Sequence, residues 1–170
     1  MIQIKIKKLL EECDRIGEKH YIYPQANDLD KVFDLIAFIS RGIKTKKEIA
    51  DFFDFEKRQA DYYFNALNYL GFAEKSETGC VLTKKGLKLS KTYKREKRIK
   101  IFVEQLAKRK TWNLFLNIYF FKEKELTKQK VIEILEEEFD DKYAEDTINR
   151  RAQCVLSWCK WLEKNINKIN

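Results

Sequence analysis

The chain has 170 residues, with 35 Lys+Arg against 27 Asp+Glu, one His, four Cys, five Gly and one Pro, a length that suits one domain or two small ones. Its 44% apolar content is enough for a core and argues against a disordered tail, while so few Gly and Pro argue against a sandwich, a propeller or a collagen-like chain. No apolar run approaches the roughly 18–20 residues needed to cross a bilayer, and MIQIKIKKLLEECDR has no long signal-like segment, so the expectation is a soluble, cytoplasmic protein with no membrane partner.

Ile2, Ile6, Leu9, Leu10, Cys13 and Ile16 recur at helical spacing and predict an amphipathic helix over residues 3–18. Gly17 and HYIYPQAND then break it, and Pro24 requires an extended connection. Residues 1–25 therefore read as an arm that packs on the first domain or on a partner.

From Asn27 the pattern is more specific. Leu29, Val32, Phe33, Leu35, Ile36 and Ile39 mark a helix that Gly42 ends. Thr45 and Glu48 form a capping-box sequence opening a short helix with Ile49, Phe52 and Phe53 inward. Asp54 is placed to cap a third helix, 56–70, with Ala60, Phe64, Leu67 and Leu70 on its buried side and Gly71 closing it. FAEK and CVLT, joined by SETG, read as a hairpin, and TKKGLKL starts another helix.

The order helix, helix, tight turn, helix, hairpin within about sixty residues is that of a winged helix-turn-helix, here over residues 26–92. Its third helix is expected to expose Arg58, Gln59, Asp61, Tyr62 and Asn65. Arg bridges two acceptors on guanine and Gln pairs with adenine, so these types suit base edges. A surface helix of a protein-binding winged helix carries polar residues as well, and that alternative stands beside the DNA reading.

The same grammar recurs over residues 93–170, read as a winged-helix-like second domain. REKRIKIFVEQLAKR makes a helix with Ile99, Phe102, Val103 and Leu106 inward, and WNLFLNIYFF reads as a helix buried between layers. Thr127 caps a helix with Val131, Ile132, Ile134 and Leu135 inward, and Asp140, Asp141 and Lys142 make the turn. EDTINRRAQCVLSWCKWL then supplies a second candidate recognition helix, packing through Ile148, Arg151 or Ala152, Val155 and Leu156, with Trp158 and Trp161 as buried anchors. Thr147, Asn149, Arg150 and Gln153 are expected to face out. After Leu162 only EKNINKIN remains, too short for a hairpin plus a following helix, so the expectation is a unit without the usual wing: either the wing is dispensable or the chain is one part of a longer recognition region. The fold class is therefore mainly α with a small β-hairpin, a tandem winged helix-turn-helix.

The net charge of +8 is concentrated in one place. Residues 84–110 hold 12 basic and 2 acidic groups, whereas residues 1–83 hold 13 and 14, and residues 111–170 hold 10 and 11. A localised basic stripe attracts and steers a polyanion, because phosphate contacts release condensed counterions. Lys84, Lys85, Lys88, Lys91, Lys94, Arg95, Arg98 and Lys100 are the expected phosphate contacts. Arg58, Gln59, Tyr62 and Asn65, with Thr147, Asn149, Arg150 and Gln153, are the expected base readers. A solvated helix face is the plain alternative for such a lysine run.

Residues 26–162 carry a resemblance. The run ANDLDKVFDLIAFISRGIKTKKEIADFFDFEKRQADYYFNALNYLGFAEK, above all FEKRQADYY and LNYLGF, resembles the winged-helix module in DNA-recognition regions of type II restriction endonucleases. EDTINRRAQCVLSWCKWL is similar to the second module of such proteins. The resemblance implies a reader of double-stranded DNA, partnered with a nuclease or methyltransferase subunit. The family's cleavage activity lies in a separate nuclease domain and does not carry over.

No catalytic constellation is legible. A Mg-dependent nuclease needs an Asp on one strand and Glu/Asp-x-Lys on the next; Asp140-x-Lys142 is the nearest match, but it falls in a helix-connecting turn. His20 has no nucleophile in a recognisable setting, and Gly17, Gly42, Gly71, Gly79 and Gly86 form no phosphate loop. Cys13, Cys80, Cys154 and Cys159 include no C-x-x-C pair and read as reduced, structural thiols. No cofactor is expected, with Mg called for only if the chain belongs to a nuclease. The remaining alternatives are a transcriptional regulator, a protein-interaction module docking through residues 112–121 and the arm, and the specificity part of a split endonuclease. A homo-oligomer is compatible with each.

Overall fold

Two cores organise the chain, one from its middle and one that joins its two ends. The computed structural model describes residues 2–122, 125–140 and 142–167. Its contacts divide into one unit of Ile22–Arg98 and another of Met1–Tyr21 with Ile99–Asn170. Among the described residues the secondary structure is helical apart from one two-stranded antiparallel sheet and isolated bridges.

In the first unit, α2 (Leu29–Ile39) starts at Asp28, whose Oδ1 accepts from the N–H groups of Asp30 and Lys31 at 3.0 and 3.2 Å. Its apolar residues at helical spacing, Leu29, Val32, Phe33, Leu35, Ile36 and Ile39, are all buried. The sequence-predicted capping box opens α3 (Lys46–Phe53). Thr45 N–H donates to Glu48 Oε2 at 2.7 Å, and Glu48 N–H donates to Thr45 Oγ1 at 3.2 Å. Asp54 does not cap the next helix as expected. It closes α3 at φ 52°, its N–H donating to Ala50, and Glu56 is the N-cap of α4 (Lys57–Tyr69). An Asp tolerates this left-handed position, and the turn it makes is what frees the chain to begin α4.

Phe52 and Phe53 also differ from expectation. The eight-residue α3 turns Ile49 and Ala50 inward, leaving Phe52 54% exposed and Phe53 half-buried. Phe52 stacks on Phe38 with centroids 4.1 Å apart, Phe53 on Phe55 at 5.1 Å and Phe55 on Tyr63 at 4.8 Å. Ile49 and Ala50 set the inward face, and the aromatics of the last turn pack on Phe38 and Phe55 instead.

β1 (Ala73–Ser76) pairs with β2 (Gly79–Leu82), with Ser76 opposite Gly79 across a two-residue connection. Lys44 and Cys80 exchange backbone hydrogen bonds of 3.1 and 2.8 Å, so the segment before α3 lies along the free edge of β2. That approach requires a glycine: a Cβ on Gly79 would stand 2.4 Å from the Lys44 carbonyl oxygen. Thr83 then caps α5 (Lys84–Ser90) and ties it to the end of α4, its N–H donating to Phe72 O and its hydroxyl to Gly71 O.

The second unit has α1 (Ile2–Glu12), α6 (Arg95–Ala107), α7 (Lys110–Phe121), α8 (Lys128–Phe139) and α9 (Glu145–Asn167). The boundary between units falls within α6, after Arg98. α1 ends at Glu12 rather than near residue 18, and Ile16 is 47% exposed instead of inward. The cause is a strap: Ile16 N–H donates to Lys108 O at 2.6 Å, an extended bridge that a helix cannot make. Glu18, fully buried, accepts from the Thr111 N–H and hydroxyl at 2.8 and 2.7 Å, placing a carboxylate on the first turn of α7. Asn113 donates to Leu10 O and Ala107 O at 2.9 and 3.0 Å. α1 and the strap through Glu18 therefore pack on α7 within this unit.

α7 is buried on Trp112, Phe115, Leu116 and Ile118, but Leu114 is 39% exposed and Tyr119, Phe120 and Phe121 are half-buried, so it is not enclosed throughout. Trp112 stacks on Trp158 of α9 at 5.1 Å, and Phe102 meets Trp158 edge-on at 5.7 Å. Trp158 is the buried anchor expected, whereas Trp161 is only half-buried. Thr127 caps α8 through Lys130 N–H, and Asp140 closes it at φ 45°, repeating the Thr and Asp devices of α3. Asp141 of the expected turn and the side chain of Ile2 lie outside the described residues.

Candidate nucleic-acid interface

The polar face of α4 is built by its burial pattern. Ala60, Tyr63, Ala66, Leu67 and Tyr69 face the core, leaving Lys57, Arg58 and Gln59 exposed at the first turn, with Tyr62 and Asn65 half-buried one and two turns on. Arg58 sets its guanidinium 5.7 Å from the centre of the Tyr62 ring, an i,i+4 stack that orients it along the helix surface. Gln59 also serves the helix start, where its Oε1 accepts from the Glu56 N–H at 3.1 Å, leaving its amide N–H groups as donors. Asp61 is held by an ion pair with Lys46, which joins α3 to α4. Three lysines from different elements, Lys44, Lys46 and Lys75, border a cleft of about 280 Å³ between this helix pair and the hairpin. Cys80 closes it from inside, a thiol that burial pushes up to about 11 and so keeps protonated.

The basic segment divides by environment. Lys84, Lys85, Lys88, Lys91, Lys94 and Arg95 are exposed in the first unit, and Lys100 is exposed in the second. Arg98 is different. Its guanidinium lies 4.9 Å from the centre of the Phe33 ring, and burial lowers its pKa against the opposing pull of Asp34. A cation set on a core aromatic is a packing group first. Lys97 and Tyr93, absent from the expected set, are exposed as well, Tyr93 to 93%. Lys46, Lys47 and Lys57 are likewise exposed and outside that set; their place at helix starts is the sequence signal that marks them.

In the second unit, α9 presents Arg150 and Gln153 to solvent, with Thr147 and Asn149 half-buried. Asn149 donates its amide to Glu145 O at 3.1 Å and Gln153 lies 3.5 Å from Ser157 Oγ, so both reach along their own helix. The packing side is Ile148, Arg151, Ala152 and Val155, joined by Cys154, Cys159 and Leu162, with Leu156 half-buried. Arg151, one of two residues offered for that side, is inside with its guanidinium 3.3 Å from the centre of the Tyr143 ring.

Asp140 and Lys142 sit in the α8–α9 connection, where the Lys142 amine donates to the backbone carbonyls of Lys19 and Tyr21 at 2.5 and 3.2 Å. His20 is exposed in the strap. Among the described residues no three His, Cys, Asp or Glu side chains gather as metal ligands, and no helix is long and apolar enough to cross a membrane.

No curated protein and no solved structure matches the chain. A family model does, over residues 31–167, a span that runs through both units. With most of its length inside that match, the chain belongs to the DUF7226 family, a domain of unknown function.

Proposed function

We propose that the chain is a sequence-specific double-stranded DNA-binding protein, and that Ile22–Arg98 is a winged helix-turn-helix that reads the major groove through α4. The observation that carries this reading is the arrangement of α3 and α4 about the left-handed Asp54, with a hairpin whose free edge is lined by the Lys44 segment. A helix pair joined by a tight turn and followed by a hairpin supports that reading. Arg58 is the principal base reader, stacked on Tyr62 and free to reach guanine, with Tyr62 and Asn65 behind it and the Gln59 amide as a donor. Lys84, Lys85, Lys88, Lys91, Lys94 and Arg95 supply phosphate contacts that carry affinity without sequence information.

In α9, Thr147, Asn149, Arg150 and Gln153 take the secondary part. That helix opens with Glu145 and Asp146, and carboxylates at its first turn repel phosphates where α4 has Lys57 and Arg58. The resemblance to restriction-enzyme recognition regions makes restriction–modification the proposed setting, with a separate nuclease or methyltransferase as partner. Selection from random duplexes tests the proposal. An enriched site is expected, with Arg58→Ala weakening it by about 1–3 kcal/mol and relaxing one position. No enriched site would refute base reading, and cleavage of plasmid by the purified chain with Mg would show a nuclease instead.

A further inference from the structure

Two segments of this chain are opposite in charge. Residues 84–98 hold eight basic groups and one acidic, and residues 131–149 hold eight acidic and one basic. In the first, Tyr93 stands 93% exposed between α5 and α6, flanked by the exposed Lys91, Lys94 and Arg95. In the second, a cleft of about 430 Å³ opens between α8 and the start of α9. Phe139, Ile148 and Tyr143 line it together with the carboxylates of Glu136 and Glu145. Lys142, the one cation among the described lining residues, directs its amine to the carbonyls of Lys19 and Tyr21 and lies 5.7 and 5.2 Å from the centres of the Phe139 and Tyr143 rings, rather than pairing with those carboxylates.

We propose that this cleft receives the basic segment of a second copy of the chain, Tyr93 entering it as an aromatic anchor and Lys91, Lys94 and Arg95 meeting Glu136, Glu145 and their neighbours. An exposed tyrosine contributes most to an interface when a pocket desolvates its ring, and the surrounding charges set register and partner choice. The second copy is the occupant because both halves of the match are on this one chain. Screening over about 8–10 Å at ordinary salt confines the attraction to close contact, so ring and charges act together. The inference stands apart from the DNA reading, although both use the basic segment, and its test contains no DNA.

The test is the mass of the full chain by sedimentation equilibrium, across concentration, in about 50 mM and about 500 mM NaCl. Concentration-dependent association is expected at low salt and its loss at high salt. Tyr93→Ala weakens it about ten-fold or more with an unchanged thermal melt, since an exposed ring holds no core together. Glu136→Lys with Glu145→Lys weakens it likewise, and adding Lys91→Glu and Lys94→Glu to that variant restores it. A single-copy mass at every concentration in low salt overturns the proposal. So does association as tight in Tyr93→Ala, or in the reversed acidic pair, as in the wild type.

Discussion

Arg98 and Lys88 sit ten residues apart in one basic run, yet their removal should have opposite signatures. Seven cations of the run, Lys84, Lys85, Lys88, Lys91, Lys94, Arg95 and Lys97, are exposed, whereas Arg98 is packed over Phe33. If all seven neutralise phosphates, log K falls with log salt at a slope of about −6, and raising salt fourfold costs about 6,000-fold in affinity. Lys88→Ala removes one contact, so the slope becomes shallower by about 0.9 and the same salt step costs about 3.5-fold less. Arg98→Ala leaves the slope unchanged and lowers stability by about 1 kcal/mol, from the lost ring contact and buried stem. Fluorescence anisotropy of a labelled duplex over a salt series measures the first, and a thermal melt the second. An unchanged slope in Lys88→Ala, or a shallower slope with an unchanged melt in Arg98→Ala, would refute the division of roles.

Two further outcomes concern the scaffold under α4. Glu48 is held below its usual 4.5 first by the Thr45 backbone N–H and then by the Thr45 hydroxyl. Its folded value lies below its unfolded one, so its contribution is complete above about pH 5 and is lost as pH falls through the folded value. Glu48→Gln should therefore lose its stability deficit relative to wild type in acid, and a deficit constant with pH in denaturant titrations would contradict the assignment. Gly86→Ala places a Cβ 2.0 Å from the Phe72 carbonyl oxygen, so α5 must move or its cap must break. A destabilisation of about 1–3 kcal/mol is expected, and an unshifted melt would show that α5 is not seated as described.

Local chemistry is legible wherever a side chain acts on its own backbone. The Thr45–Glu48 box, the Thr127 cap, the hairpin and the inward stripe of α2 all follow from spacing within a few residues. In such cases donor, acceptor and geometry lie in one short segment. The departures from expectation share the opposite property. Asp54 reads as a cap of the following helix because a capping side chain suits either side of a tight turn, and only its φ of 52° assigns it to α3. Phe52 reads as inward because it lies one turn from Ile49 on the same stripe, and only tertiary packing sets its ring on Phe38 with half its surface in solvent.

The polar face of α4 and the basic run can thus be named from the sequence, but not the work each residue does. Phe33 is 65 residues from Arg98, and Glu18 is 93 from Thr111. Neither pairing leaves a periodic trace. Composition and periodicity determined two helical cores with a hairpin in one of them, because burial of apolar surface selects for spacing. Tertiary packing decided which cations remain in solvent and that α1 belongs with α7, because a contact between distant segments depends on how whole elements meet.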